Sequence, residues 1–439
     1  MTAKTGKGAA LHTKILAGLL IGGALGLLAN TQLGGHHPLV EWMNRYIAYP
    51  AGQVFLRMLF MIVIPLVFAS IALGVAGLGD LRRVGRVGGK TLGYFLVTTL
   101  IAASTGLLFV SVVKPGGGLD PAVKSELMEV YSGAASEKAE TARAGGFGVD
   151  TFVNIVTRNP VRSAADGDLL GIIFFGMVFG AALTLIPAAR AKPMTDLLES
   201  LNAVVISIVG MAMRLAPYGV TALIFGVTSR FGLALLAPLG GYIFVVLGAL
   251  LFHALVNISL ILRFVIGVSP RVVLSRARSA LVTAFSTSSS SATLPASITA
   301  VEQGLGVPPQ IAGFVMPLGA TVCMNGTSIF EGVTVIFLCQ VFGVDLSLVQ
   351  MAVVMIMSVV TAVGSAGVPG GSIPLLVGIL VMFGVPAEGI AVILGVDRIL
   401  DMSRTVVNVY GDFGAALFVA RSEGAWKPSM IPAAEKAPA

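Results

Sequence analysis

Charge is what this sequence has least of: Asp, Glu, Lys and Arg make up 11% of 439 residues, against a hydrophobic share of 56% and a mean hydropathy of +0.94. Soluble domains carry about 25% charged residues, so a water-facing surface is excluded for most of this chain. Cysteine is reduced to Cys323 and Cys339. Both lie in one apolar region, where a disulfide would close no useful loop. The four histidines, His12, His36, His37 and His253, have no metal-ligand spacing. The net charge of +7 is not gathered on a polar domain and has no interleaved aromatics, which argues against a nucleic-acid partner. No Gly-x-Ser-x-Gly elbow occurs, and no histidine stands near the serine-rich stretch Ser286–Ser291. A serine hydrolase therefore lacks its base, and the chain does not read as an enzyme.

What is present is a series of apolar runs of about 20 residues or more, the length that crosses a bilayer. They fall at Phe55–Leu78, Leu92–Val113, Leu169–Ile186, Leu198–Val227 and Leu233–Ile266, preceded by a shorter first run at Leu16–Leu28. The first follows Lys4, Lys7 and Lys14 in the manner of a signal peptide, but no small-residue cleavage pattern ends it, so it reads as a retained span. Arg82, Arg83, Arg86 and Lys90 follow the second run, Arg190 and Lys192 the fourth, and Arg271, Arg276 and Arg278 the sixth. Alternating spans put all of them on one side with the N-terminal lysines, the cytoplasmic side of the cell membrane. The polar insertion after the third run, with Asp120, Glu126, Glu129, Glu137, Glu140 and Asp150 against Lys124, Lys138 and Arg143, then faces outward. The polar end from Ser422 reads as a disordered cytoplasmic tail.

Beyond Arg278 the apolar sequence is interrupted by Ser286–Ser291, by Asn325-Gly326 and by Gly364–Ser372 with Pro369 inside it. A membrane helix tolerates such breaks only where protein or water satisfies the freed backbone. The pattern also repeats. A small-residue tip at Ser288–Pro295 precedes an interrupted span around Asn325, and a second at Gly364–Pro374 precedes a polar span around Asp401. Two such units are the sequence sign of an inverted-repeat transporter.

The final span carries Asp397, Asp401, Arg404, Thr405, Asn408 and Asp412 in an apolar setting. At 100° per residue they lie within about 60° of one direction, a single polar stripe. Charges inside a membrane cost several kcal/mol unless paired or wetted, so the stripe reads as a binding path. An ion-pair ladder between helices is the plainer alternative, but it has no use for the interleaved Thr405 and Asn408. Arg404 offers a fork for a carboxylate, Asp401 suits an ammonium, and Asn408 with Thr405 suits a second carboxylate. An acidic amino acid meets all three, and Asp412 is left for a cation.

These residues resemble the dicarboxylate/amino acid:cation symporters, which include the glutamate transporters and archaeal aspartate transporters. The likeness runs from the first span through Arg421 and rests on four motifs: Ser288-Ser-Ser-Ser-Ala-Thr-Leu-Pro295, Gly319-Ala-Thr-Val-Cys-Met-Asn-Gly-Thr327, Ala366-Gly-Val-Pro-Gly370, and Asp401-Met-Ser-Arg-Thr-Val-Val-Asn408 with Gly411-Asp412. The resemblance implies an all-α polytopic membrane protein of eight transmembrane helices plus two re-entrant helical hairpins, working as an elevator and assembled as a homotrimer. Residues 12–83 and 145–230 would be the scaffold, 84–114 and 233–422 the transport domain, and 423–439 a tail.

It also implies roles. Arg404 would bind the substrate side-chain carboxylate and Asp401 its amino group, with Ser288, Ser289, Ser290, Thr327, Gly370, Thr405 and Asn408 around them and Val368 in the extracellular gate. Gly319, Cys323, Asn408 and Asp412 would form a first cation site, Thr321 and Ser365 a second, and Thr98, Thr99 and Asn325 a deep one. No cofactor is implied, only Na+ or H+ as coupling ion.

The departures bear on coupling. Where the family usually has Asn-Met-Asp-Gly-Thr, Cys323 and Asn325 take the first and third places, and Phe95 stands where relatives often have tyrosine. All three touch the deep cation site, so it reads as empty or weak, with fewer sodium ions or with protons carried by Asp412, Asp401 or the Asp397/Arg398 pair. Arg398 belongs to none of the four motifs that carry the resemblance and is expected to neutralise Asp397, and Glu331 reads as structural. A C4-dicarboxylate:cation symporter of the same fold is the alternative, and it would have no ammonium for Asp401.

Overall fold

In a computed structural model the described residues are 11–77, 81–120, 122–125, 156–166, 169–365, 367 and 369–432. Val368 of the expected gate lies outside them, as do Lys4, Lys7 and the loop residues Glu126, Glu129, Glu137, Lys138, Glu140, Arg143 and Asp150. Among the described residues the secondary structure is helical throughout, with no strand. Five helical stretches are long and apolar enough to cross a membrane: Thr13–Leu33, Arg86–Val113, Ala188–Phe231, Ala237–Ile266 and Pro309–Val341.

The chain opens with α1 (Leu11–Leu33), a short α2 (Pro38–Met43), α3 (Tyr49–Phe60) and α4 (Val63–Gly77). The expected second span, Phe55–Leu78, is thus two helices, parted at Met61 and Ile62. Pro65 is the cause, because its ring cannot donate to, and crowds, the carbonyl four residues back at Met61. After α5 (Leu81–Val113) and a short α6 (Pro160–Asp166) come α7 (Leu169–Leu185) and α8 (Ala188–Phe231). The 44 residues of α8 reach about 66 Å at 1.5 Å per residue, so the expected span Leu198–Val227 is only its apolar part. α1 lies along α8 on a glycine ridge. A Cβ on Gly18, Gly22 or Gly26 would collide with Pro217, Thr221 or Thr228, which is how small residues bring membrane helices together.

α9 (Leu233–Phe252) continues through two wide turns, His253–Ile258 and Ile261–Ile266. The first hairpin follows as α10 (Pro270–Thr287) and α11 (Ser290–Thr299), then a broken pair α12 (Pro309–Val322) and α13 (Asn325–Val341). A second hairpin, α14 (Leu348–Val363) and α15 (Ile373–Met382), leads to α16 (Ala391–Ser422). α16 packs against α10, α12 and α13, and α13 is buried along nearly its whole length. These helices share the largest apolar core, while Val67 and Ile71 of α4 join Ile172 and Ile173 of α7 and Leu375 of α15 in a smaller one.

The expected disordered tail is corrected over its first ten residues, because the chain folds back after α16. Trp426 is 1% exposed and donates from Nε1 to the Leu305 carbonyl at 2.8 Å. Glu423 is gripped by Arg86 and Lys90, each at 2.7 Å, and Arg276 donates to the Pro432 carbonyl. A buried indole is enough apolar surface to hold a short polar segment down.

Candidate substrate site

The two breaks in regular helix that matter most face α16. Expected at Asn325-Gly326, the break between α12 and α13 falls instead at Cys323 and Met324, whose ψ angles of 83° and 48° leave the helix. Asn325 and Gly326 open α13. The first N–H groups of a helix lack internal partners, and here Asn408 of α16 supplies one. Its Oδ1 accepts from the Gly326 N–H at 2.7 Å and the Thr327 N–H at 3.3 Å, while Nδ2 donates to Thr327 Oγ1 at 3.1 Å. Gly326 is needed because a Cβ there would run into the Arg404 backbone.

The first hairpin turns at Ser288, held at φ 51°, and Ser289 caps α11 by accepting from the Ala292 N–H at 3.1 Å. The hairpins meet. Ser289 Oγ donates to the Gly367 carbonyl at 2.6 Å, and Ser290 Oγ donates to the Ala320 carbonyl of α12 at 2.7 Å. Gly367 allows this approach, since a Cβ would strike Ala320 and the hydroxyls of Ser290 and Ser291.

Between the tips and α16 lies a small cavity, lined by Ser288, Ser290, Thr327, Asp401, Arg404, Thr405 and Asn408 as expected, and also by Met324, Ser365, Gly367 and Ser372. The room free inside it is about 20 Å³, enough for little more than one water, so its walls must part to admit a solute. Its charged wall is a ladder. Arg404 donates to Asp401 Oδ1 at 2.8 Å and to Asp397 Oδ1 at 3.2 Å, and the Gly370 N–H, at φ 73°, donates to Asp401 Oδ2 at 3.1 Å. Asp397, Asp401 and Arg404 are at most 6% exposed. Such charges are tolerable only because each is paired.

Arg398 was expected to neutralise Asp397; its charge does act on Asp397, but its nearest carboxylate contact is Nη1 at 3.8 Å from Asp401 Oδ2, and Arg404 makes the direct bond to Asp397. Consecutive residues on a helix diverge by 100°, whereas residues three apart share a face. Sequence reasoning also missed Phe330, whose ring lies under the Arg404 guanidinium at 4.1 Å from its centroid. Its one signal was the spacing from Thr327, three residues on along the same face of α13.

Of the expected cation ligands, Thr98, Thr99 and Asn325 come together: the Thr99 hydroxyl donates to Asn325 Oδ1 at 2.9 Å, while Thr98 Oγ1 lies 3.4 Å from that oxygen and closer, at 2.9 Å, to the Tyr94 carbonyl. Asp412 sits against Gly319, where a Cβ would strike its carboxylate, and beside the Cys323 thiol. Ser365 is buried on the cavity wall, but Thr321 is exposed and turns its hydroxyl back to the Leu318 carbonyl at 2.9 Å. Phe95 is no oxygen donor, yet Tyr94 beside it brings a buried hydroxyl to α16 at Gly414, two residues from Asp412.

Apolar helices long enough for a bilayer, enclosing a small cavity walled by paired charges and closed by two hairpin tips, define a polytopic transporter of a small charged solute. The chain belongs to the sodium:dicarboxylate symporter family, whose profile matches residues 11–422. It is 36% identical over 406 residues to the proton/glutamate-aspartate symporter of Escherichia coli (strain K12), covering 92% of each chain. It is 34% identical over 407 residues to the proton/sodium-glutamate symport protein of Bacillus caldotenax, covering 92% of this chain and 94% of that one. The C4-dicarboxylate transport protein of Bacillus subtilis (strain 168) is 33% identical over 375 residues, 85% of this chain and 87% of the relative.

Proposed function

We propose that this chain carries an acidic amino acid, aspartate or glutamate, across the cell membrane in symport with a cation. The observation that carries the reading is the Asp401–Arg404 pair, 2.8 Å apart on the wall of the cavity that the hairpin tips close. A substrate bearing two carboxylates and an ammonium exchanges this pair for two. Arg404 turns its fork from the aspartates to a substrate carboxylate, Asp401 takes the ammonium, and Asp397 stays beside Arg404. No buried charge is left alone at any stage, which is what makes the exchange affordable. The hydroxyls of Ser290, Thr327 and Thr405 and the amide of Asn408 receive the remaining polar atoms.

For coupling, the deep site offers an amide and two hydroxyls that already have hydrogen-bond acceptors, Thr99 on Asn325 and Thr98 on the Tyr94 carbonyl, and a hard cation finds no carboxylate among them. We read it as weak, with transport coupled to fewer sodium ions or to protons carried by Asp412, Asp401 or Asp397. The names of the Escherichia coli and Bacillus relatives, with proton and proton/sodium symport, support a mixed repertoire.

For the whole molecule we read eight spans and two re-entrant hairpins, a scaffold of residues 12–83 and 145–230, and a moving transport domain of 84–114 and 233–422, in an elevator-type homotrimer. The dense packing of α1, α3 and α4 on α8 supports that division, with α1 and α8 also meeting α16 where the two parts join.

Uptake of labelled aspartate into vesicles, with sodium and proton gradients imposed separately, tests the reading. Saturable accumulation driven by either gradient is expected, and failure to take up aspartate or glutamate under both would overturn it.

A further inference from the structure

Arg398 has no part in the exchange just described, yet it is only 8% exposed and its Nε has no hydrogen-bond partner. It does not line the cavity. It stands behind Asp401, with Nη1 at 3.8 Å from Oδ2, the oxygen that also receives the Gly370 N–H, while Arg404 holds Oδ1. The buried ladder of Asp397, Arg398, Asp401 and Arg404 is thereby neutral. Without Arg398 it would hold two carboxylates against one guanidinium.

The consequence differs between two substrate classes. When an acidic amino acid draws Arg404 away, its own ammonium covers Asp401. A C4-dicarboxylate draws Arg404 in the same way but brings no cation, and would strand Asp401 as a buried, uncompensated charge. A cation three residues back on the same helix face removes that penalty without occupying the cavity. We propose that Arg398 is a positioning residue that sets substrate range: by holding Asp401 compensated from behind, it lets the site accept C4-dicarboxylates as well as acidic amino acids. This rests on the reading of the cavity as an acidic amino acid site. It deepens that reading by assigning the choice of substrate class to a residue outside the cavity.

The test uses the full-length chain in vesicles, with succinate and aspartate as probes. In the unaltered protein succinate competes with labelled aspartate uptake and is itself taken up. Arg398→Met raises the ratio of the succinate to the aspartate inhibition constant roughly tenfold or more, about 1.4 kcal/mol of discrimination. Arg398→Lys, which keeps a cation in place, restores the ratio toward its original value. A purely structural Arg398 would weaken both substrates together and leave the ratio unmoved, which overturns the proposal. Aspartate uptake without any succinate competition in the unaltered protein overturns it too, and needs no variant to fold. Absence of aspartate uptake, by contrast, strikes the proposed function itself.

Discussion

The hydroxyl of Thr99 donates to Asn325 Oδ1 at 2.9 Å, so two oxygens that the family likeness offers to a cation are bonded to each other. Restoring a carboxylate should reverse this. Asn325→Asp is expected to make uptake more dependent on sodium, with half-saturation for sodium falling roughly tenfold, the equivalent of about 1.4 kcal/mol. Sodium titrations of aspartate uptake at constant pH check this. An unchanged titration would show that the deep site contributes no coupling even with its charge restored.

Arg404 meets Asp401, Asp397 and the face of Phe330, so its removal has two separable effects. Arg404→Ala leaves two buried carboxylates with one fewer cation and should cost stability of about 3 kcal/mol or more. Arg404→Lys keeps the charge but loses the planar fork and its stacking. It should keep most of the thermal stability while weakening aspartate binding ~100-fold, the order expected when one partner of a buried bidentate contact is lost. Binding calorimetry and thermal melting of both variants separate the effects.

Most of the polar stripe on α16 was legible in the sequence, because an α-helix has one period and Asp397, Asp401, Arg404, Thr405, Asn408 and Asp412 obey it. Serine clusters and Gly-Pro steps in apolar surroundings likewise marked both hairpin tips. What the sequence could not supply was which polar group faces which. Arg398 sits next to Asp397 in the chain yet pairs with Asp401, and Asn408 serves the opened turn of α13 as well as lining the cavity. The break at Cys323 was misplaced by two residues for a related reason: Asn325 and Gly326 disfavour a helix by propensity, but Asn408 caps the Gly326 and Thr327 N–H groups from another helix. The order of the tail was hidden as well, since one buried tryptophan in a polar segment leaves no periodic trace.

Gly326 offers a test of how tightly the broken helix must approach α16. A methyl group there would overlap the Arg404 backbone carbonyl, and neither partner is a flexible side-chain end that could yield. Gly326→Ala should cost about 1–3 kcal/mol as overpacking. It should also disturb the Asn408 cap, so aspartate affinity falls along with the melting temperature. Gly89→Ala, inside α5 where a Cβ meets open space, is the control and should leave aspartate affinity unchanged and the melting temperature level or slightly raised.

The clasp on Glu423 gives a pH dependence with a definite sign. Hydrogen bonds from Arg86 and Lys90 hold the Glu423 carboxyl down to about 2, below its ordinary 4.5. A depressed acid favours the folded chain at every pH above its unfolded value and loses that contribution as pH falls toward the folded one. The clasp is therefore fully present from pH 5 to 8 and fades between about 4.5 and 2. Glu423→Gln should lower the melting temperature by a modest amount that stays constant from about pH 8 to 5 and shrinks on further acidification. Added salt should shrink it too, because the pair is partly open to solvent. A difference that persists unaltered near pH 2.5 would mean that the Glu423 side chain acts through its shape, leaving Trp426 as the element that ties the tail to the first hairpin.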